Sequence, residues 1–137
     1  MAAVTLLAEG KPVTVVPFFN LRLGHNTGVS FGLFSETLRD TPLLVASFGV
    51  IVVLILGWMA LRARRTIETA AFALVGGGAL GNIADRVRIG AVVDYIDLYY
   101  GNWHWPTFNL ADVFISFGVV VLLATSIFGK KTSTSRA

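Results

Sequence analysis

Asp94 and Asp112 are acids in settings that disfavour charge. Asp94 follows Ala91-Val92-Val93 and precedes Tyr95-Ile96, and Asp112 interrupts an apolar run from Leu110 to Phe128. An ionised carboxylate at mid-bilayer costs roughly 2.5–3.5 kcal/mol, less toward the interface, so acids kept in such runs are expected to face polar partners. Two carboxylates brought together in a partly dry site cannot both ionise easily and share one proton. The charged member then draws a proton from water while the other donates to a carbonyl oxygen, which is aspartic protease chemistry. The rest of the inventory offers little else: the chain has no cysteine, and its two histidines, His25 and His104, form no ligand cluster and are not grouped with a serine. No metal and no cofactor is expected.

Further polar residues collect at the same level. Gly81-Asn82-Ile83-Ala84-Asp85-Arg86 closes one apolar segment, Asp97 follows Asp94, and Asn109 stands just before Asp112. Each has a structural reading as well. Asn109 with Asp112 is good helix N-terminal capping chemistry, and Asp85 with Arg86 makes an interfacial ion pair or anchors a helix end. Asp94 has no capping role. A transporter or proton-pathway subunit would also use intramembrane carboxylates. However, the acids other than Glu9, Glu36, Asp40 and Glu68 all sit at one level, with none at mid-depth to continue a path.

The elements that must position these groups follow from hydropathy. Hydrophobic residues make up 55% of the chain and charged residues 14%, with a mean hydropathy of +0.72, too apolar for a soluble domain. The charge-free run from Leu43 to Leu61 would span about 28 Å as a helix, close to the hydrocarbon thickness of a bilayer. Transmembrane helices are predicted at 42–61, 66–84 and 109–128, within a single membrane domain over 1–137, so the fold class is a mainly α membrane protein. Gly77 and Gly81 have the small-xxx-small spacing that lets helix backbones approach.

Arg62, Arg64 and Arg65 fill the turn between the first two spans, and Lys130, Lys131 and Arg136 follow the last. The positive-inside rule puts both groups on the cytoplasmic side. The net charge of +3 therefore reads as orientation, and no nucleic acid partner is expected. Residues 83–108 and 1–41 fall on the outer side, which leads us to expect one more helix upstream, with this chain beginning near its outer end. Residues 12–34, β-branched and aromatic and punctuated by Pro12, Pro17 and Gly24, predict a small β region at the outer membrane surface. Tyr95, Tyr99, Tyr100, Trp103 and Trp105 suggest an interfacial flap or anchor, and residues 129–137 a flexible cytoplasmic tail.

Three stretches carry a family resemblance: GGALGNIADRVRIGAVVDYI (Gly77 to Ile96), FNLADVFISFG (Phe108 to Gly118) and FFNLRLGHNTGVSFGLF (Phe18 to Phe34). In order and spacing the chain from about Val13 to Phe128 closely resembles lipoprotein signal peptidase, or signal peptidase II. The resemblance implies a four-helix enzyme of the bacterial cytoplasmic (inner) membrane with a small surface sheet and an active site near the outer face. It implies removal of signal peptides from diacylglyceryl-modified prolipoproteins, cut just before the lipidated cysteine. The family's catalytic acids fall on Asp94 and Asp112, and its supporting polar residues on Asn26, Asn82, Asp85, Arg86 and Asn109. Globomycin-like cyclic peptides that inhibit the family are expected to occupy the same cleft, and membrane lipid is an expected partner. The family's first helix, with its own Asp and Lys motif, has no counterpart here, in line with the topology expectation. The other readings are a non-catalytic membrane binding or scaffold relative, and an inactive truncated fragment.

Overall fold

The computed structural model describes residue 7 and residues 10–28 and 41–129; the expected β region beyond residue 28 and the expected tail at 130–137 lie outside the described residues. Among the described residues are three helices, α1 (Pro42–Arg62), α2 (Thr66–Ile89) and α3 (Leu110–Phe128), each long and apolar enough to cross a membrane. α1 begins on Pro42, where a missing N–H costs nothing. Large side chains such as Phe48, Leu54, Phe117 and Ile127 point outward, as they must where lipid is the neighbour and no second apolar layer exists.

α2 runs to Ile89 rather than ending at 84. Asp85, Arg86 and Arg88 leave the apolar stretch without leaving the helix, and the stop comes at Gly90. Its φ of 77° and its N–H bond to the Arg86 carbonyl at 3.0 Å close the last turn. That extra length carries Asp85 and Arg86 toward the site. α2 is the central helix, packed on α1 and α3.

The close approach of α2 to α3 is made at Gly78 and Gly118, not at Gly77 and Gly81. A Cβ on Gly78 would lie 2.5 Å from the Ala111 carbonyl oxygen, and one on Gly118 would lie 2.6 Å from Val75 Cγ2, whereas Gly77 has nothing within 4 Å and Gly81 makes ordinary contact at 3.5 Å. Ala71, Val75 and Gly78 recur at i, i+4 and i+7, one stripe of the helix, and all three are buried. Gly77 faces elsewhere.

At the end of the bundle away from Arg62 and Arg65 lies an antiparallel sheet of four strands among the described residues. Its order is β1 (Val13–Val16), β2 (Phe19–Asn26), β3 (Val92–Tyr100) and β4 (Trp103–His104). The β region expected from the first residues of the chain is thus one half of the sheet. The other half is the segment expected to be an interfacial flap: VVDYIDLYY has the β-branched and aromatic content of a strand and pairs with β2 from Phe19↔Leu98 to Asn26↔Val92.

Candidate active site

The site is assembled where the end of α2, the start of α3 and β3 meet. Asn109 is the N-cap of α3. Its Oδ1 accepts the Asp112 N–H at 3.2 Å and Asp112 Oδ2 accepts the Asn109 N–H at 3.2 Å, a reciprocal capping box. Capping is therefore real, and it leaves the Asn109 amide nitrogen free for other work. Asn109 Nδ2 donates to Asp94 Oδ1 at 3.0 Å and to Asn82 Oδ1 at 3.1 Å, while Asn82 Nδ2 donates to Asp112 Oδ1 at 3.0 Å. One asparagine side chain thus contacts both aspartate-bearing elements, and a second closes the circuit.

The surrounding shell holds this circuit in place. Asp85 Oδ2 accepts the Val93 N–H at 3.1 Å, fixing the start of β3 to the last turns of α2. Arg86 is buried; it donates through Nη1 to the Asn82 carbonyl at 3.2 Å and through Nη2 to the Gly28 carbonyl. Its charge acts on Asp112, Asp94 and Asp85, and its Nε has no hydrogen-bond partner. Asn26 closes a tight turn by accepting the Gly28 N–H at 2.9 Å, and its side chain also hydrogen-bonds Asp94. All seven residues singled out in the sequence lie in this cluster. The Asp85–Arg86 ion pair considered there is not the main contact of either side chain, since each reaches a backbone group.

Asp94 is only 3% exposed. Burial raises its pKa from 3.8 to about 6, with the neighbouring Asp112 charge pushing the same way; hydrogen bonds from Asn26 and Asn109 and the Arg86 charge pull partly back. Asp112 is half-buried and opens onto two cavities. One, of about 180 Å³ between α1 and the other helices, is lined by Asn26, Asn82, Arg86, Phe48 and Ile115 as well as Asp112. The other, of about 390 Å³ along α3, adds Trp105, Phe108, Phe117 and Val120. An acid able to hold a proton near neutrality, wired to a second acid that faces open space, can move a proton to and from a bound carbonyl or water. Among the described residues no group of three or more His, Cys, Asp or Glu could hold a metal ion.

Asp97 is one acid among several in the sequence, and nothing local sets it apart. It is 1% exposed, and it pairs with His104 and Asn20 on the strands to either side. The signal for it lies in the strand pattern of VVDYIDLYY rather than in the aromatic rings that suggest a flap.

These features define a small membrane-embedded protein with a paired-acid site beneath a surface sheet. The family model described as signal peptidase (SPase) II matches residues 1–128, and the chain belongs to that family. It is 41% identical over 122 residues to the lipoprotein signal peptidase of Anaplasma phagocytophilum, covering 89% of this chain and 78% of that one. With the lipoprotein signal peptidase of Serratia marcescens it is 40% identical over 129 residues, 94% of this chain and 76% of that one. Two solved bacterial membrane enzyme structures share the fold. One superposes with a TM-score of 0.83 at 24% identity over 99% of this chain and 84% of the other. The second has a TM-score of 0.71 at 25% identity over 92% and 90%. The chain is accordingly a membrane protease of the signal peptidase II kind.

Proposed function

We propose that Asp94 and Asp112 are the catalytic pair with which this chain removes signal peptides from diacylglyceryl-modified bacterial prolipoproteins, cutting before the lipidated cysteine. The observation that carries the assignment is the Asn109 side chain, which caps the helix bearing Asp112 while hydrogen-bonding Asp94 at 3.0 Å. Asp94, with its raised pKa of about 6, takes up the shared proton and donates it to the scissile carbonyl oxygen. Asp112 accepts N–H bonds on both oxygens and faces the cavities, so it takes a proton from the attacking water. The water oxygen bonds to the carbonyl carbon, and collapse of the tetrahedral intermediate returns a proton to the leaving amine.

Asn82 and Asn109 keep the two carboxylates in register, Asp85 fixes the strand that bears Asp94, Asn26 supports Asp94, and Arg86 offers its unpartnered Nε to the substrate backbone. The apolar groove beside Phe108, Phe117 and Val120 suits acyl chains, and globomycin-like cyclic peptides would occupy the narrower cleft. The arginine turn at Arg62–Arg65 supports an inner-membrane orientation with that turn cytoplasmic and the sheet outside.

The test is a gel-shift cleavage assay on a diacylglyceryl-modified prolipoprotein in lipid. Asp94→Asn and Asp112→Asn should each lower turnover by about 10²–10⁴-fold with the protein still folded. Near-normal turnover by either variant would sink the assignment.

A further inference from the structure

Asp97 is a buried acid that the proposed chemistry does not use. Residues three apart on a regular strand point to opposite faces, yet Asp94 and Asp97 are both buried, at 3% and 1% exposure. The reason is a bulge between them. Tyr95 and Ile96 both donate their N–H to the Phe108 carbonyl, at 3.0 and 2.8 Å, so two residues of β3 oppose one of the incoming chain. The residue after Phe108 is Asn109, the side chain that hydrogen-bonds Asp94.

The Asp97 carboxylate ties down the material around this bulge. Its Oδ2 accepts Asn20 Nδ2 from β2 at 3.1 Å, and its Oδ1 meets His104 Nδ1 from β4 at 2.7 Å. A carboxylate only accepts, so the imidazole Nδ1 carries the proton. His104 in turn stacks on Tyr99, ring centroids 5.3 Å apart. One side chain therefore joins β2, β3 and β4 one residue beyond the bulge. Slipping a strand by one residue would turn Asp94 to the opposite face.

We infer that Asp97 is a positioning residue for the Asp94–Asn109 contact, its bonds to Asn20 and His104 holding the β3 bulge that brings both to the site. This rests on the assignment of Asp94 as catalytic. A buried pair serving stability alone would cost folded protein but leave each folded molecule fully active. A positioning residue costs turnover in the folded fraction.

Full-length Asp97→Asn and His104→Gln should be compared with the unaltered chain and Asp112→Asn in the same cleavage assay. Folded fraction should be measured by near-ultraviolet circular dichroism, and Asp94 titration by carboxyl-selective NMR. Expected for Asp97→Asn is a kcat per folded molecule lower by about 10–100-fold, the scale of a misplacement near 1 Å, with KM within about twofold and an Asp94 titration midpoint moved from that of the unaltered chain. His104→Gln, a milder change that decides the matter if Asp97→Asn does not fold, should lose about 3–10-fold in kcat on the same scale. The double variant should be no worse than Asp97→Asn alone, because both act through one contact. Unchanged kcat per folded molecule together with an unmoved Asp94 titration overturns the inference. Full turnover by Asp112→Asn overturns the catalytic assignment instead, so the two failures are told apart, and the titration decides on Asp97 whatever the level of cleavage.

Discussion

Two aspartates of one strand, three residues apart and both nearly inaccessible to solvent, have their pKa values pushed in opposite directions. Asp94 takes its hydrogen bonds from neutral amides, Asn26 and Asn109, with a second carboxylate and the Arg86 charge nearby; burial is the largest influence on it and raises its pKa to about 6. Asp97 is at least as buried, and burial alone would raise its pKa too. Hydrogen bonds from His104 and Asn20, together with the charges of His104 and Arg22, outweigh that and hold it below the ordinary 3.8. The contrast teaches that low solvent exposure does not by itself decide what an acid does. Neutral donors that orient a carboxyl without fully compensating its charge leave it able to exchange a proton; a donor that can carry positive charge fixes it as an anion and makes it a strut.

The two acids differ most in how far their loss costs turnover and how far it costs stability. Asp94→Asn should remove about 10²–10⁴ of turnover and leave the fold standing. Asp97→Asn should lower thermal stability by about 1–3 kcal/mol, the range for losing a charge-assisted hydrogen bond to a partly exposed partner. Tryptophan fluorescence on heating in detergent, alongside the cleavage assay, reads both. A pH series sharpens the contrast because the signs differ. Asp94 has a folded-state pKa raised above its unfolded value of 3.8, so its contribution to stability is full below about pH 4 and is lost as pH rises through about 6. The unaltered chain should lose stability relative to Asp94→Asn over that window, by up to about 3 kcal/mol, seen as a falling melting temperature. Asp97 has a lowered value, so its contribution is present above about pH 4 and lost as pH falls further, and Asp97→Asn should differ least from the unaltered chain at the acid end. Parallel pH curves for the two variants would erase the distinction.

A smaller effect tests the bridge itself. Asn109→Ala removes the cap of α3 and the donor to Asp94. The cap accounts for about 1 kcal/mol of stability. The bridge should account for about 10–100-fold in kcat, since Asp94 and Asp112 would keep their elements but lose the amide between them. A stability loss with unchanged kcat would make Asn109 a cap and nothing more.

Much of this was legible in the residues, for reasons that differ by region. The spans were readable because lipid imposes length and apolarity on each helix separately, as the run from Leu43 to Leu61 shows. Asp94 stood out because nothing local excused an acid between Val93 and Tyr95. Three things were hidden. The end of α2 lies at Gly90, past three charged residues, because charge marks where a helix leaves the membrane and glycine marks where it stops. The contact face of α2 depends on helix rotation, which the pair Gly77 and Gly81 does not reveal and the buried stripe Ala71, Val75, Gly78 does. Strand β3 was obscured because its pairing partner lies about seventy residues away in sequence and its bulge breaks the alternation that announces a strand.

The smallest predicted effect separates the two partners of Asp97. Asn20 gives its Nδ2 to Asp97 Oδ2 at 3.1 Å, yet its own Oδ1 is buried with no hydrogen-bond partner. Asn20→Ala therefore relieves one uncompensated acceptor but leaves the buried Asp97 Oδ2 without its donor, so the lost bond is only partly offset. The net cost should be about 1 kcal/mol, below that of His104→Ala, which removes the shorter bond at 2.7 Å and the stacked ring on Tyr99. Melting temperatures of the two variants at neutral pH check the order. If Asn20→Ala proves the costlier, the anchor of Asp97 is β2 rather than β4, and the bulge is held from the opposite side.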